Sequence, residues 1–154
     1  MFLFHKKSTI YSPCDGEFKS LNEVKDEVFS KERMGKGFAV VPTTGDIHSP
    51  VDGKVTMVFP TKHAIGITDK NNVEYILHIG IDTVQLKGTG FQTSVQEGDS
   101  VKAGDLLVNC DLAMLKQAGY QTDVLVIVTN HKDVRIKQAG NLKVKDEIAY
   151  CENI

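Results

Sequence analysis

A chain of 154 residues is long enough for one domain with its own core, and 41% hydrophobic and 25% charged residues are typical of a globular protein. The formal net charge of −2 argues against nucleic acid as a partner, because a phosphate backbone requires a basic face. Three scattered cysteines, Cys14, Cys110 and Cys151, exclude a simple disulfide framework or zinc site and predict reduced thiols.

The amino-terminal sequence MFLFHKK is too short an apolar run for a signal peptide or a transmembrane helix. We therefore expect a cytoplasmic, free-standing protein without stable membrane insertion, and a monomer. We also expect a flexible tail over residues 1–10, followed by a single domain over residues 11–154.

Two pairs of similar segments indicate an internal duplication. Residues 12–18 (SPCDGEF) are closely repeated by residues 49–55 (SPVDGKV), and in each copy Asp-Gly supplies turn residues before an alternating strand. A fainter pair, residues 96–107 (QEGDSVKAGDLL) and 139–148 (AGNLKVKDEI), places turns around a short strand. These two pairs of similar segments predict a duplicated hairpin motif that folds back on itself.

The remaining segments are mostly short and β-like. Residues 22–33 predict irregular structure with one helical turn over an edge of the sheet, and residues 38–42 predict a strand ended by proline. Residues 111–118 have the apolar spacing of a short helix, whereas residues 122–129 (TDVLVIVT) predict a central strand. Short strands with turns every 8–12 residues or so predict an all-β fold, either an antiparallel β-sandwich or a partly closed barrel, with one or two helical turns.

Residues 61–80 (TKHAIGITDKNNVEYILHIG) predict a β-hairpin that brings two histidines together. If residues 69–72 form a four-residue loop, the register pairs His63 with His78 on one face. Directly opposed residues have Cβ atoms about 4.5–5.5 Å apart, close enough for two imidazoles to share one small anion. Thr61 precedes His63 by two residues and is expected on the same face.

This predicted pair of histidines needs an explanation beyond core packing. Two buried imidazoles leave ring nitrogens that need partners, at about 1–3 kcal/mol for each one unsatisfied. Together with Thr61, the rings could instead surround a tetrahedral oxyanion. The apolar residues predicted around them, which is typical of a protein docking site, are Phe59, Ile65, Ile67 and Ile76.

A metal site is the first alternative. Structural zinc requires four ligands and hydrolytic zinc three plus water, but the sequence has no HxH, HExxH or paired cysteines. His48 and His131 lie outside the predicted hairpin, and a third ligand would have to come from a partner protein. We therefore predict no built-in metal and no cofactor, with a metallopeptidase as an alternative that a metal assay would expose.

A carrier domain is the second alternative. Residues 96–107 resemble the turn and strand of biotinyl and lipoyl carrier domains, which present a modified lysine at a hairpin tip. Lys62 and Lys70 are the candidates here. We interpret this similarity as shared hairpin architecture rather than as a site for a swinging cofactor.

Three stretches, SPVDG from Ser49, TKHAIGI from Thr61 and above all ILHIGIDTVQLKGTGF from Ile76, resemble the glucose-class enzyme IIA proteins of the bacterial phosphoenolpyruvate-dependent sugar phosphotransferase system. The resemblance implies an antiparallel β-sandwich that acts as a phosphocarrier. It would accept a phosphoryl group from the histidine-containing phosphocarrier protein HPr and pass it to a cysteine of the IIB domain of a membrane sugar permease. The alternative is a regulatory protein-binding module of the same fold without relay activity.

The same resemblance implies roles for individual residues. His78 would take the phosphoryl group, His63 would orient it by hydrogen bonding its oxygens, and Thr61 would support His63. Asp82 would face the cationic donor. The predicted partner-binding residues, which form an apolar rim apart from that aspartate, are Phe38, Val40, Phe59, Ile65, Ile76, Asp82 and Val84.

Overall fold

The structure, a computed structural model, describes residues 6–131 and 133–153. Its regular elements are short strands with two short α-helices, as predicted. In chain order they are β1 (Lys6–Tyr11), β2 (Gly16–Ser20), α1 (Glu27–Ser30), β3 (Lys36–Pro42), β4 (Asp46–His48), β5 (Gly53–Val58), β6 (Ala64–Asp69), β7 (Glu74–Ile79), β8 (Phe91–Thr93), β9 (Ser100–Val101), β10 (Leu106–Cys110), α2 (Leu112–Gln117), β11 (Val124–Val128), β12 (Val134–Ile136), β13 (Asn141–Leu142) and β14 (Glu147–Asn153). Two 3₁₀ turns occupy Leu21–Glu23 and Thr83–Leu86.

The strands form three antiparallel sheets around one main core. The largest has the order β13-β2-β3-β11-β7-β6-β5-β9, and the smaller sheets are β1-β14-β12 and β4-β10-β8. Side chains from all three sheets meet in the core, for example Leu77, Val108 and Ile148. This arrangement confirms the predicted all-β antiparallel sandwich. Among the described residues no helix is both long and apolar enough to cross a membrane.

The predicted central strand and helix are both present. All five residues of β11 are buried, and β11 lies between β3 and β7 in the large sheet. Helix α2 begins after Asp111, whose side chain accepts a hydrogen bond from the Met114 amide at 3.1 Å, and it buries Leu115 in the core. A side-chain cap and one apolar face therefore suffice to define this short helix.

The two SPxDG segments interlock through reciprocal backbone hydrogen bonds. The Tyr11 amide donates to the Pro50 carbonyl at 2.8 Å, and the His48 amide donates to the Pro13 carbonyl at 2.7 Å. Each donor stands two residues before the proline of its own copy. The predicted duplication is thus present as an approximate twofold relation between the two segments.

The aspartates of these two segments also make equivalent hydrogen bonds. Asp15 Oδ1 accepts a hydrogen bond from the Val144 amide at 2.9 Å, and Asp52 Oδ1 accepts one from the Ala103 amide at 2.8 Å. Both amides belong to the fainter pair of similar segments. Each SPxDG copy therefore anchors one copy of the second motif.

The predicted register of the central hairpin is wrong by one residue. Strands β6 and β7 pair Thr68 with Glu74 and Ala64 with His78, so the loop is residues 70–72. Asp69 closes this shorter loop, because its Oδ1 accepts hydrogen bonds from the amides two and four residues further along the chain. Asn72 is left-handed with φ of 62°, as expected for the last residue of a three-residue hairpin loop.

The predicted flexible tail over residues 1–10 is corrected for residues 6–10, which belong to β1; residues 1–5 lie outside the described part of the chain. Strand β1 pairs with β14, and Ser8 and Ile10 are buried. The ladder partner of β1 lies about 140 residues away in the sequence, so local composition carries no signal for it.

Candidate functional site

Two histidine rings meet on the outer face of the large sheet, with centroids 4.9 Å apart and planes at 84°. His78 lies in β7, directly opposite Ala64 of β6, while His63 immediately precedes β6. His63 stands outside the regular strand, so its ring is free of the strict alternation that the shifted register would impose. The rings therefore come together although the two residues are not directly opposed.

A tight connection between β5 and β6 positions His63. Thr61 Oγ1 lies 2.6 Å from His63 Nδ1 although neither residue belongs to a strand. Lys62, which separates them, has a left-handed backbone with φ of 61°. The Phe59 ring packs edge-on against the His63 ring at 5.6 Å between centroids, so His63 is almost wholly buried.

His78 is half-buried beneath a small apolar cluster that covers the outer face of the sheet. Leu125 of β11 stands directly opposite His78, and the Phe29 ring of α1 lies 4.9 Å from the His78 ring. The cluster, separate from the main core, consists of Leu21, Val24, Phe29, Ala39, Ile81, Leu125 and Ile127. The segment around α1 thus covers part of the His78 ring.

Burial favours the neutral form of both imidazoles. It lowers the pKa of His78 to about 4, with a further lowering from His63, while the Gly80 backbone and the Asp26 carboxylate act weakly in the opposite direction. Burial also lowers the pKa of His63. Nδ1 of His78 is buried without a hydrogen-bond partner of good geometry. The exposed edge of the ring is therefore the one that can react.

Three of the predicted rim residues lie in the core and not at the surface. Phe38, Val40 and Ile65 point into the main core and are fully buried, so they cannot contact a partner protein. Residues alternate between faces along a strand, and in β3 it is Ala39 that faces outward toward the cluster beneath α1. The resemblance alone could not fix which face of β3 is inward.

The other predicted rim residues lie on the surface or at its boundary. Phe59 and Ile76 are half-buried, the former against His63 and the latter two residues from His78 on the same face. Asp82 and Val84 are exposed in the segment that follows β7, and Val84 retains 49% of its accessible surface.

Sequence reasoning missed two features that frame the site. Val28 and Phe29 are adjacent in α1, with Val28 42% exposed and Phe29 buried against His78. The apolar pair within a Glu- and Lys-rich stretch was the available signal. Lys19 of β2 and Asp123, which directly precedes β11, form an ion pair at 3.0 Å. Strand β3 lies between β2 and β11 in the sheet, and nothing in either segment of the sequence indicates this ion pair.

Within residues 6–131 and 133–153, no three His, Cys, Asp or Glu side chains lie close enough together to hold a metal ion. The cysteines Cys14, Cys110 and Cys151 are buried as free thiols, and burial raises the pKa of each above its ordinary value. The polar side chains that meet beside His78 are the His63 imidazole and, behind it, the Thr61 hydroxyl.

A family profile described as "phosphoenolpyruvate-dependent sugar phosphotransferase system, EIIA 1" matches residues 8–134. The chain belongs to this family. The glucose-specific EIIA component of Mycoplasma capricolum is 43% identical over 151 residues, which cover 97% of this chain and 98% of that protein. A solved structure titled glucose permease IIA from the same organism superposes with a TM-score of 0.89 over 97% of this chain and 99% of its own.

Other relatives are much longer. The glucose-specific EIICBA component of Streptococcus pneumoniae is 46% identical over 93% of this chain, and the beta-glucoside-specific EIIBCA component of Bacillus subtilis is 48% identical over 92%. This chain spans only 20% and 24% of those two proteins. Membership of the EIIA family gives the chain a phosphocarrier role in the sugar phosphotransferase system.

Proposed function

We propose that His78 accepts a phosphoryl group from an HPr-like phosphocarrier protein and passes it to a cysteine of the IIB domain of a membrane sugar permease. The observation that supports this most directly is the contact between the rings of His63 and the half-buried His78 on the outer face of the large sheet of a family member. The relay would take place in the cytoplasm, with this chain acting as a monomer.

The chemistry requires a neutral imidazole. The lone pair of an unprotonated ring nitrogen attacks phosphorus, a new N–P bond forms, and the N–P bond to the donor histidine breaks as that imidazole leaves. A pKa of about 4 keeps this lone pair free at pH 7. Because Nδ1 of His78 is buried, Nε2 is the reacting atom. In the second step a cysteine thiolate attacks phosphorus and His78 leaves.

His63 stabilises the transferred group in this proposal. If the Thr61 hydroxyl donates to Nδ1 of His63, Nε2 carries the proton and can donate to a phosphoryl oxygen. Phosphoryl transfer depends mainly on positioning and on stabilising oxygen charge, so one well-held donor beside the acceptor is a useful catalyst.

Two docking events must share the surface around these rings. The half-buried Phe59 and Ile76, with the exposed Val28 and Val84, provide apolar contacts that exclude water from the phosphohistidine. Asp82 adds a negative charge suited to a basic donor surface. The names of the EIICBA and EIIBCA relatives combine A with B components, which supports a IIB acceptor.

The test is incubation with phosphoenolpyruvate, enzyme I and HPr, followed by intact mass measurement. We expect the wild type to gain one phosphate and His78→Ala to gain none. His63→Gln should gain the phosphate but fail to pass it to a IIB domain. His131→Asn, outside the hairpin, serves as the matched histidine control.

Equal labelling of His78→Ala and the wild type would contradict the assignment of the acceptor. No labelling of a folded wild type would instead favour the regulatory binding module.

A further inference from the structure

Lys62 has a backbone conformation that lysine rarely adopts. It is one of few non-glycine residues with positive φ among those described, at 61°, and it separates Thr61 from His63. Left-handed backbone costs a residue with a Cβ atom roughly 1–2 kcal/mol, whereas glycine and asparagine tolerate it. Such conformations persist at functional sites when the surrounding structure requires them.

The loop around Lys62 requires this conformation. The Lys62 amide donates to the Phe59 carbonyl at 2.7 Å, and the Phe59 amide donates to the Ala64 carbonyl at 3.1 Å. Pro60 fixes the first turn residue, so the chain must reverse at Lys62 before β6 can begin.

The consequence is the contact between Thr61 and His63. In extended backbone, residues two apart are separated by about 6.6–6.8 Å along the strand. A left-handed residue between them curls the segment and lets Thr61 Oγ1 reach His63 Nδ1 at 2.6 Å.

The Lys62 side chain itself has no comparable role in the geometry. It is exposed, and among the described residues it takes part in no ion pair or side-chain hydrogen bond. A lysine beside a phosphoryl site would ordinarily suggest a charge that binds phosphate, so the two roles need to be separated by experiment.

We propose that Lys62 is a positioning residue whose left-handed backbone, and not its ammonium group, holds Thr61 and His63 in the geometry for phosphoryl transfer. This inference rests on the proposed function, since it names a further residue of the same relay.

The experiment measures the rate of phosphoryl transfer from the phosphorylated protein to a IIB domain for a series of variants. Lys62→Val carries a β-branched side chain that resists positive φ, and we expect a loss of about 10- to 100-fold, the effect of a misplacement of roughly 1 Å. Lys62→Gly and Lys62→Asn accept the conformation without the charge and should stay within about twofold of the wild type.

Two controls separate positioning from general destabilisation. Lys145→Val places the same side chain at another left-handed lysine, with φ of 72°. This lysine lies in the turn that follows β13, which three strands separate from the His78 strand β7, and the variant should transfer at the wild-type rate. The nitrogen chemical shifts of the His63 ring should change in Lys62→Val and stay unchanged in Lys62→Gly. General destabilisation of the fold would not produce this difference at the His63 ring.

Two results would overturn the inference. One is wild-type transfer by a folded Lys62→Val. The other is loss of transfer in Lys62→Gly and Lys62→Asn with retention in Lys62→Arg, which would assign the role to the ammonium group; this comparison does not depend on Lys62→Val folding. Neither result affects the proposed function, which fails if His78→Ala is labelled like the wild type or if the folded wild type is not labelled.

Discussion

His78 combines two properties that usually exclude one another, since a ring exposed enough to meet a partner is normally solvated enough to be protonated in mild acid. Phe29 and Leu125 desolvate one side of the ring, and the second imidazole adds to the same effect. The result is an imidazole that stays uncharged across the physiological range. Its cost is a buried ring nitrogen without a good partner.

The lowered pKa of His78 predicts how stability depends on pH. Between the ordinary value of 6.5 and about 4, the unfolded chain binds a proton that the native protein does not. The free energy of unfolding should therefore fall as pH drops through this window, by at most about 3 kcal/mol from this group, and should not depend on it above pH 7. Urea denaturation at pH 7.5 and pH 4.5 measures the change. His78→Gln should lose less stability than the wild type over the same interval, and an equal loss in both proteins would refute the assignment.

At the scale of elements, a four-residue helix is too short to be stable alone, so α1 depends on its contacts. Asp26 caps it by accepting the Val28 amide at 2.9 Å, and Phe29 anchors it to the outer face of the sheet. The helix in turn controls the solvation of His78. The Phe29 ring therefore affects both the stability of α1 and the solvation of His78.

Phe29→Ala should therefore do more than destabilise the fold. We expect a loss of about 2–3 kcal/mol, below the range of a central core substitution because α1 can loosen locally. The pKa of His78 should rise toward 6.5 as water reaches the ring. An NMR titration of the His78 ring protons measures this shift, with Val28→Ala, at an exposed neighbouring position, as the control. An unchanged pKa in Phe29→Ala would show that α1 does not control hydration of the ring.

Sequence patterns predicted the elements better than their exact pairing. The central hairpin, β11, α2 and the repeated motifs were all evident from turn residues and apolar spacing. The register was missed because Asp69 shortens the loop through its own hydrogen bonds, a detail that composition does not reveal. Phe38 and Val40 were assigned to the rim because alternation along a strand does not say which face is inward.

At the scale of the whole molecule, hydrogen bonds between the duplicated motifs connect distant parts of the chain. Backbone hydrogen bonds connect the two SPxDG segments with each other, and each aspartate accepts from an amide of a different turn. Each half, meaning one SPxDG segment together with the turn that its aspartate binds, needs the other half to complete its hydrogen bonding. The two halves should therefore unfold as one cooperative unit.

Asp15→Ala and Asp52→Ala test this relation. Because each removes one carboxylate acceptor at equivalent positions, we expect each to cost about 1 kcal/mol and to leave phosphorylation of His78 unchanged. Urea denaturation gives the cost, and Glu17→Ala, at an exposed position in β2, should stay within about 0.5 kcal/mol of the wild type. A large cost for one aspartate with none for the other would show that the halves are not energetically equivalent.

The pairing of β1 with β14 places Lys6 opposite Asn153, so the two ends of the described part of the chain lie side by side. A neighbouring domain attached ahead of β1 and one attached behind β14 would be tethered from a common point, and a linker of given length would have the same reach toward the histidines in either case. A partner domain could therefore be attached at either end of the chain without a change in the geometry of the proposed relay.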